Sequence, residues 1–146
     1  MTFHVSTAMR NKLLDTGSLR ATLAAGFIKI YSGTAPTDAD QATTGSLICT
    51  ISISSGGTGI NFDVAAVGGV LQKAPAETWS GVNAATATAS YYRHVQAADT
   101  GVLSTTQPRL QGDIATSGQE MNLSSVALVS GATQTIDFYS VALPTL

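Results

Sequence analysis

The spacing of hydrophobic positions changes character once along this chain, near residue 26. Before that point the pattern is helical. Ser6 or Thr7 can cap a first helix, and Ala8, Met9, Lys12, Leu13 and Leu14 favour its continuation. Asp15-Thr16-Gly17 interrupts the pattern, after which Ser18 can cap a second short helix running from Leu19 to Ala25. Gly26 stands where a helix C-terminal glycine belongs. The expectation is a helical segment over about 6–25, bent in the middle. Leu13, Leu19 and Leu23 would face a common core, with Arg10 and Arg20 in water.

From Phe27 onward the pattern is that of strands. FIKIYS (27–32) alternates and ends at Gly33 and Pro36, and 34–45 is a loop with Asp38 and Asp40 exposed. SLICTISIS (46–54) places Leu47, Cys49, Ile51 and Ile53 on one face and Ile48, Thr50 and Ser52 on the other. SSGGTG (54–59) is a turn; INFDVAAV is a strand or an edge; VLQK is a short strand ended by Pro75. AATATASYYRHVQA (84–97) alternates throughout, while RLQGDIAT (109–116) carries a glycine that suggests a bulge or bend. MNLSSVALVSG (121–131) fits two short strands and a turn, and TQTIDFYSVALP (133–144) is a final strand closed by Pro144. Many short strands with turns between them predict a mainly β chain. The expected architecture is an antiparallel β-sandwich (jelly-roll-like) or barrel with a short N-terminal helical segment. No internal repeat or low-complexity tail is present, so 1–146 is expected to be a single domain.

Composition sharpens this picture in one respect. Charged residues are 11% of the chain against roughly 25% in an average globular domain, while hydrophobic residues, at 44%, are ordinary. Small neutral residues occupy the places of Lys and Glu. Such a surface suits dense subunit packing, because charges at an interface must be desolvated and paired. The same composition also fits a Thr-rich β protein that needs few charges. The formal net charge is −2 and the basic residues are scattered, so no nucleic-acid footprint is expected. No apolar run is long enough for a membrane span, and the N-terminus lacks the features of a secretory signal.

Candidate chemistry is sparse. The two imidazoles are His4 and His94, and His94, beside Arg93 in an alternating strand, suggests a surface or interface position rather than a general base. No G-x-S-x-G elbow occurs, and two histidines with a lone Cys49 give no zinc spacing. Cys49 lies in an apolar run and is expected in the core. Asp38-Ala39-Asp40 is the only close carboxylate pair and lacks the glycine and glutamate of a calcium loop; a solvated loop tip is expected. Nothing singles out a catalytic pair among Asp63, Glu77, Asp99, Asp113, Glu120 and Asp137. The glycine-rich stretches lack a phosphate loop's Lys-Ser/Thr, and Asn122-Leu123-Ser124 matches a glycosylation sequon without a secretory context. No catalytic residue, cofactor or metal is expected. Trp79, the single tryptophan, can cap the core, anchor an interface or offer a sugar platform. Contact residues are expected at Phe3, His4 and Val5, at Trp79, and at the paired Tyr91 and Tyr92.

R-N-K-L-L-D-T-G-S-L (10–19), K-I-Y-S-G-T-A-P (29–36) and the D-A-D loop are followed by G-S-L-I-C-T-I (45–51). Glu77-Thr78-Trp79, A-T-A-T-A-S-Y-Y-R (85–93) and a Thr/Ile/Tyr-rich closing strand complete the series. In these segments the chain resembles small virion proteins of tailed bacteriophages. The resemblance implies a capsid decoration (cement) protein, or else a neck, tail or fibre component that forms a ring or binds host-surface glycan. It further implies the major capsid protein or other virion proteins as partners, a homo-oligomer, and a place in the virion after assembly in the bacterial cytoplasm. No contact residue can be carried over from it.

Overall fold

The computed structural model of the chain describes residues 3–143, so Pro144, the expected strand end, lies outside them. Strand β1 (His4–Val5) leads into helix α1 (Thr7–Leu14), and helix α2 (Leu19–Thr22) follows after a break. Both serine caps form: Ser6 Oγ accepts from Met9 N at 3.2 Å and Ser18 Oγ from Ala21 N at 3.1 Å. Gly26 does not terminate α2 in the expected manner. Ala25 takes the left-handed conformation (φ 54°), whereas Gly26 is glycine because a Cβ there would lie 2.4 Å from Val95 O. Leu23 reaches the core and Leu13 does not, since α1 buries Ala8 and Met9 instead.

The strands are β2 (Phe27–Tyr31), β3 (Leu47–Ile53), β4 (Val70–Gln72), β5 (Trp79–Val82), β6 (Ala87–Thr88), β7 (Tyr91–Val95) and β8 (Arg109–Ala115). β9 (Met121–Asn122), β10 (Ala127–Leu128), β11 (Thr133–Ile136) and β12 (Ser140–Ala142) complete them. One eight-stranded sheet runs β1-β8-β7-β2-β3-β5-β11, with β9 beside β8. Its pairs are antiparallel except β8·β9. Two small pairs, β6·β10 and β4·β12, stand apart from it. Among the described residues the ends of the large sheet do not meet. The fold is mainly β and antiparallel with a short N-terminal helical segment, and the barrel alternative is corrected.

Register divides the sheet into two unlike faces, because residues paired across strands point the same way. Ile28 and Ile30 of β2, Tyr92 and His94 of β7, Leu110 of β8, Cys49 and Ile51 of β3 and Trp79 of β5 share the apolar face. Phe62, Leu71, Met121, Leu128, Tyr139, Met9 and Leu23 close over it in a single core. Lys29, Tyr31, Tyr91, Arg93, Arg109, Gln111, Thr50 and Ser52 point to the other side.

Four expectations are revised by this arrangement. A bulge between Ile30 and Tyr31 skips one residue of β3, so Ile48 turns inward (0% exposed) and Leu47 outward (42%), the reverse of strict alternation. The 84–97 stretch is two strands in different sheets. Ala89 N donates to Val126 O and Ser90 N to Tyr31 O, which hands the chain from one sheet to the other. The 133–144 stretch likewise breaks, at 137–139, where Tyr139 turns into the core. β8, in contrast, runs without a bulge; Gly112 is there because a Cβ would approach the Tyr92 ring and Glu120 Cβ to 2.8 Å.

Gly81 tests the tightness of the apolar face. A Cβ at that position would lie 2.3 Å from Thr50 O and 2.8 Å from Cys49 Sγ. Gly81→Ala is expected to lower stability by about 1–3 kcal/mol. The neighbouring, exposed Val82→Ala should stay within about 0.5 kcal/mol of the parent. Urea unfolding midpoints at constant m-value check both.

Candidate contact surfaces and a sealed polar cluster

The residues expected to make contacts are divided by the fold. Phe3 is 41% exposed and lines a groove of about 270 Å³ with Tyr92, Glu120, Val141 and Ala142. His4 and Val5 are half-buried at the sheet edge, paired with Gln111 and Leu110. Trp79, Tyr91 and Tyr92 are at most 1% exposed, which corrects the expectation that they face a partner. Their rings are consumed by the subunit's own interior, and Trp79 offers no sugar platform. Trp79 packs on Phe62 and Tyr139 at 6.3 and 5.7 Å between ring centroids, and its Nε1 donates to Glu77 Oε2 at 2.8 Å. The same carboxylate accepts from Asn61 N and Nδ2. Burial opposes ionisation of Glu77, but the donors from Asn61 and Trp79, aided by Lys73, outweigh it and hold the carboxyl below its usual range.

His94 also departs from expectation. It sits in the aromatic cluster, 5.2 Å from Phe62 and 5.7 Å from Tyr139, and neither ring nitrogen has a partner. Burial in this apolar box pushes its pKa down to about 3, so the ring is neutral at physiological pH and makes no surface contact. Cys49 is buried as expected, and burial pushes its thiol up to about 11.

The polar face of the sheet holds a cluster that sequence reasoning missed. Arg109 is fully buried and pairs through Nε with Asp99 Oδ2 at 2.5 Å. Its Nη1 donates to the carbonyls of Ala39, Asp40 and Gln41, and its Nη2 to Val102 O (2.8 Å) and Gln107 Oε1 (2.5 Å). Arg93, also fully buried, donates from Nε to Gln111 Oε1 at 2.9 Å and reaches Asp38 O at 3.5 Å, while Nη1 has no partner. Gln111 Nε2 donates to Pro36 O at 2.7 Å. Burial, and then repulsion from Arg109, lowers the proton affinity of Arg93, yet a guanidinium stays charged at any physiological pH. Asp40, expected as an exposed loop tip, is half-buried and accepts from Thr7 N at 2.8 Å and Thr7 Oγ1 at 2.5 Å. Loop 34–45, loop 96–108 and the start of α1 are thereby tied into one unit. The only advance signal was the i, i+2 spacing of Arg109 and Gln111, which puts both on one strand face.

What remains outside is aliphatic and sparsely charged. Leu14, Val64, Val67 and Leu143 are between 73% and 87% exposed. Leu143 also lines a groove of about 420 Å³, together with Leu13, Leu19, Ala66, Leu71 and Val141. Val102 and Leu103 project from loop 96–108 with 57% and 70% exposure. Among the described residues no group of three or more His, Cys, Asp or Glu side chains is placed to hold a metal ion. Among the same described residues no helix is long and apolar enough to cross a membrane. Comparison with protein-family models, with curated proteins and with solved structures finds no match.

Two measurements probe the buried charges. Arg109→Met leaves Asp99 unpaired inside and should cost about 3–5 kcal/mol. Adding Asp99→Leu should recover part of that loss, because the orphaned carboxylate goes with it. For His94 the sign follows from linkage: the folded state resists protonation, so the unfolded state binds more protons between pH 6.5 and about 3. The His94 contribution should therefore be flat above pH 6.5 and fall as pH drops towards 3, with His94→Phe reducing the slope in that range by about one proton's worth. Denaturant titrations at a series of pH values read it directly.

Proposed function

We propose that this chain is a phage virion structural subunit without enzymatic activity, a capsid decoration (cement) protein that strengthens the shell by contact with the major capsid protein and with itself. The observation that carries the reading is where the chain spends its chemistry. Two arginines, one aspartate, the His94 imidazole and the Cys49 thiol are inside, and the surface carries its few remaining charges among small neutral residues and exposed aliphatic side chains. Such a surface loses little to desolvation when it meets another protein. The likeness of segments 10–19, 29–36, 45–51 and 85–93 to small virion proteins of tailed phages supports the same reading. A neck or tail ring is the alternative, since head-to-tail contacts between identical subunits close into rings.

Copy number in purified particles separates the two. Decoration requires on the order of hundreds of copies on the shell, and a ring about six or twelve at one vertex. Particles assembled without the protein should lose their capsid contents at lower temperature than the complete ones. An unchanged melting profile, or absence of the polypeptide from particles, overturns the decoration reading.

A further inference from the structure

We infer that copies of this chain associate head to tail, with the Val102–Leu103 knob of one copy seated in the aliphatic groove of the next; this rests on the structural-subunit reading above and names its first partner. The knob is rigid. Thr43 N holds Gly101 O at 2.8 Å, Arg109 Nη2 holds Val102 O at 2.8 Å and Ser104 N holds Asp40 O at 2.8 Å, so the backbone is fixed on both sides of the two side chains. A loop pinned this firmly cannot fold its apolar tips away from water, and their exposure is a standing cost that association removes. Little conformational entropy remains to be lost when such a loop docks.

The groove is the matching half. Leu13, Leu19, Ala66, Leu71, Val141 and Leu143 line about 420 Å³ of open groove, room for two aliphatic side chains, and among the described residues the only charge in its lining is Arg20. Position excludes the subunit's own knob as the occupant. The knob belongs to the loops that cover the polar face of the sheet, where Arg109 anchors them. The groove is walled by α2, β4 and β12, and Leu71 packs into the core on the opposite, apolar face. A subunit's own knob therefore cannot reach its own groove. Charge agrees as well. Arg20 is exposed at the groove and Asp38 is exposed on the loop clamped next to the knob, and neither forms a salt bridge within the described chain. Their opposite signs suit a contact that brings knob and groove together. Because the two surfaces differ, the contact is heterologous and propagates into rings or rows.

Native mass spectrometry and sedimentation of the full chain, from about 1 to 100 μM, test this. Wild type should form a concentration-dependent series of oligomers. Leu103→Asp, which spoils the knob, and Ala66→Trp, which fills the groove, should each weaken association on the order of 10- to 100-fold while leaving the thermal melt unchanged. An equimolar mixture of the two variants should give a one-to-one dimer and nothing larger, because one intact knob and one intact groove remain. Asp38→Arg and Arg20→Glu should each weaken assembly, and the double charge swap should restore it. Wild type that stays monomeric across this range overturns the inference, as do variants that assemble like wild type or a mixture that yields no dimer. A monomeric protein nevertheless present in virions would leave the structural reading standing and remove only this contact.

Discussion

A guanidinium taken out of water needs an acceptor on every side, and the structure depends on how Arg109 meets that demand. Its acceptors are Asp99, the Gln107 amide and four backbone carbonyls drawn from residues 39–41 and 102. Two loops with no regular hydrogen bonding of their own thus acquire a fixed shape. The strand that carries Arg109 also receives the N-terminus: Ser6 Oγ accepts from Arg109 N, caps α1 and donates to Gln107 O. One side chain and one hydroxyl therefore join sheet, loops and helix. The desolvation of Arg109 is offset only while all these partners stay in place, which makes the assembly cooperative rather than merely crowded.

Arg93 shows the other side of the same constraint. It sits directly opposite Lys29 across the β2·β7 pair and beside Arg109, with no carboxylate of its own. Like charges at facing positions are unfavourable, and Nη1 is unmatched. The side chain is tolerated because Gln111, itself held by Pro36 O, supplies an aligned acceptor and the loop over it supplies a carbonyl. The apolar face needs no such accommodation. There Phe62, Trp79, Tyr92, His94 and Tyr139 meet edge-to-face, tilted or, for Phe62 and Tyr139, stacked, at 5.2 to 6.3 Å, and aromatic pairs of this kind contribute about 0.5–1.5 kcal/mol each beyond their buried area.

Local chemistry was legible where it acts locally. The serine caps, the break at 15–18, β2, most of β3 and the burial of Cys49 all follow from residues within a few positions of one another. Whatever depends on a distant partner was not. Leu47 and Ile48 exchange faces because of a bulge set by the register against β2, and the break at Ala89–Ser90 exists because Val126 and Tyr31 present carbonyls from different sheets. Period two did put Arg109 and Gln111 on one strand face. It could not show that loops would bury that face, since 34–45 and 96–108 have the polar composition of solvated turns. The same blindness misplaced Tyr91 and Tyr92 and left Trp79 open between interface and core: a large aromatic residue serves an interface or an interior equally well until the neighbouring layer is known.

The charges spent on the interior bear on how the surface behaves. Strand edges that remain open are ordinarily guarded by lysine, proline or a bulge. β11, the last strand of the large sheet, is Thr-Gln-Thr-Ile and carries none of these; its one local guard is the Gln134 amide, which donates to Thr135 O at 3.1 Å. With Arg93, Arg109 and Asp99 inside, a chain that is 11% charged has even less left to repel a neighbour. A freely diffusing protein would be expected to hold such an edge in check with charge. Its absence is intelligible if the edge and the exposed aliphatic side chains are covered, as the proposed structural role requires. The sealed polar cluster answers a different need, since it gives the surface loops a fixed shape of their own.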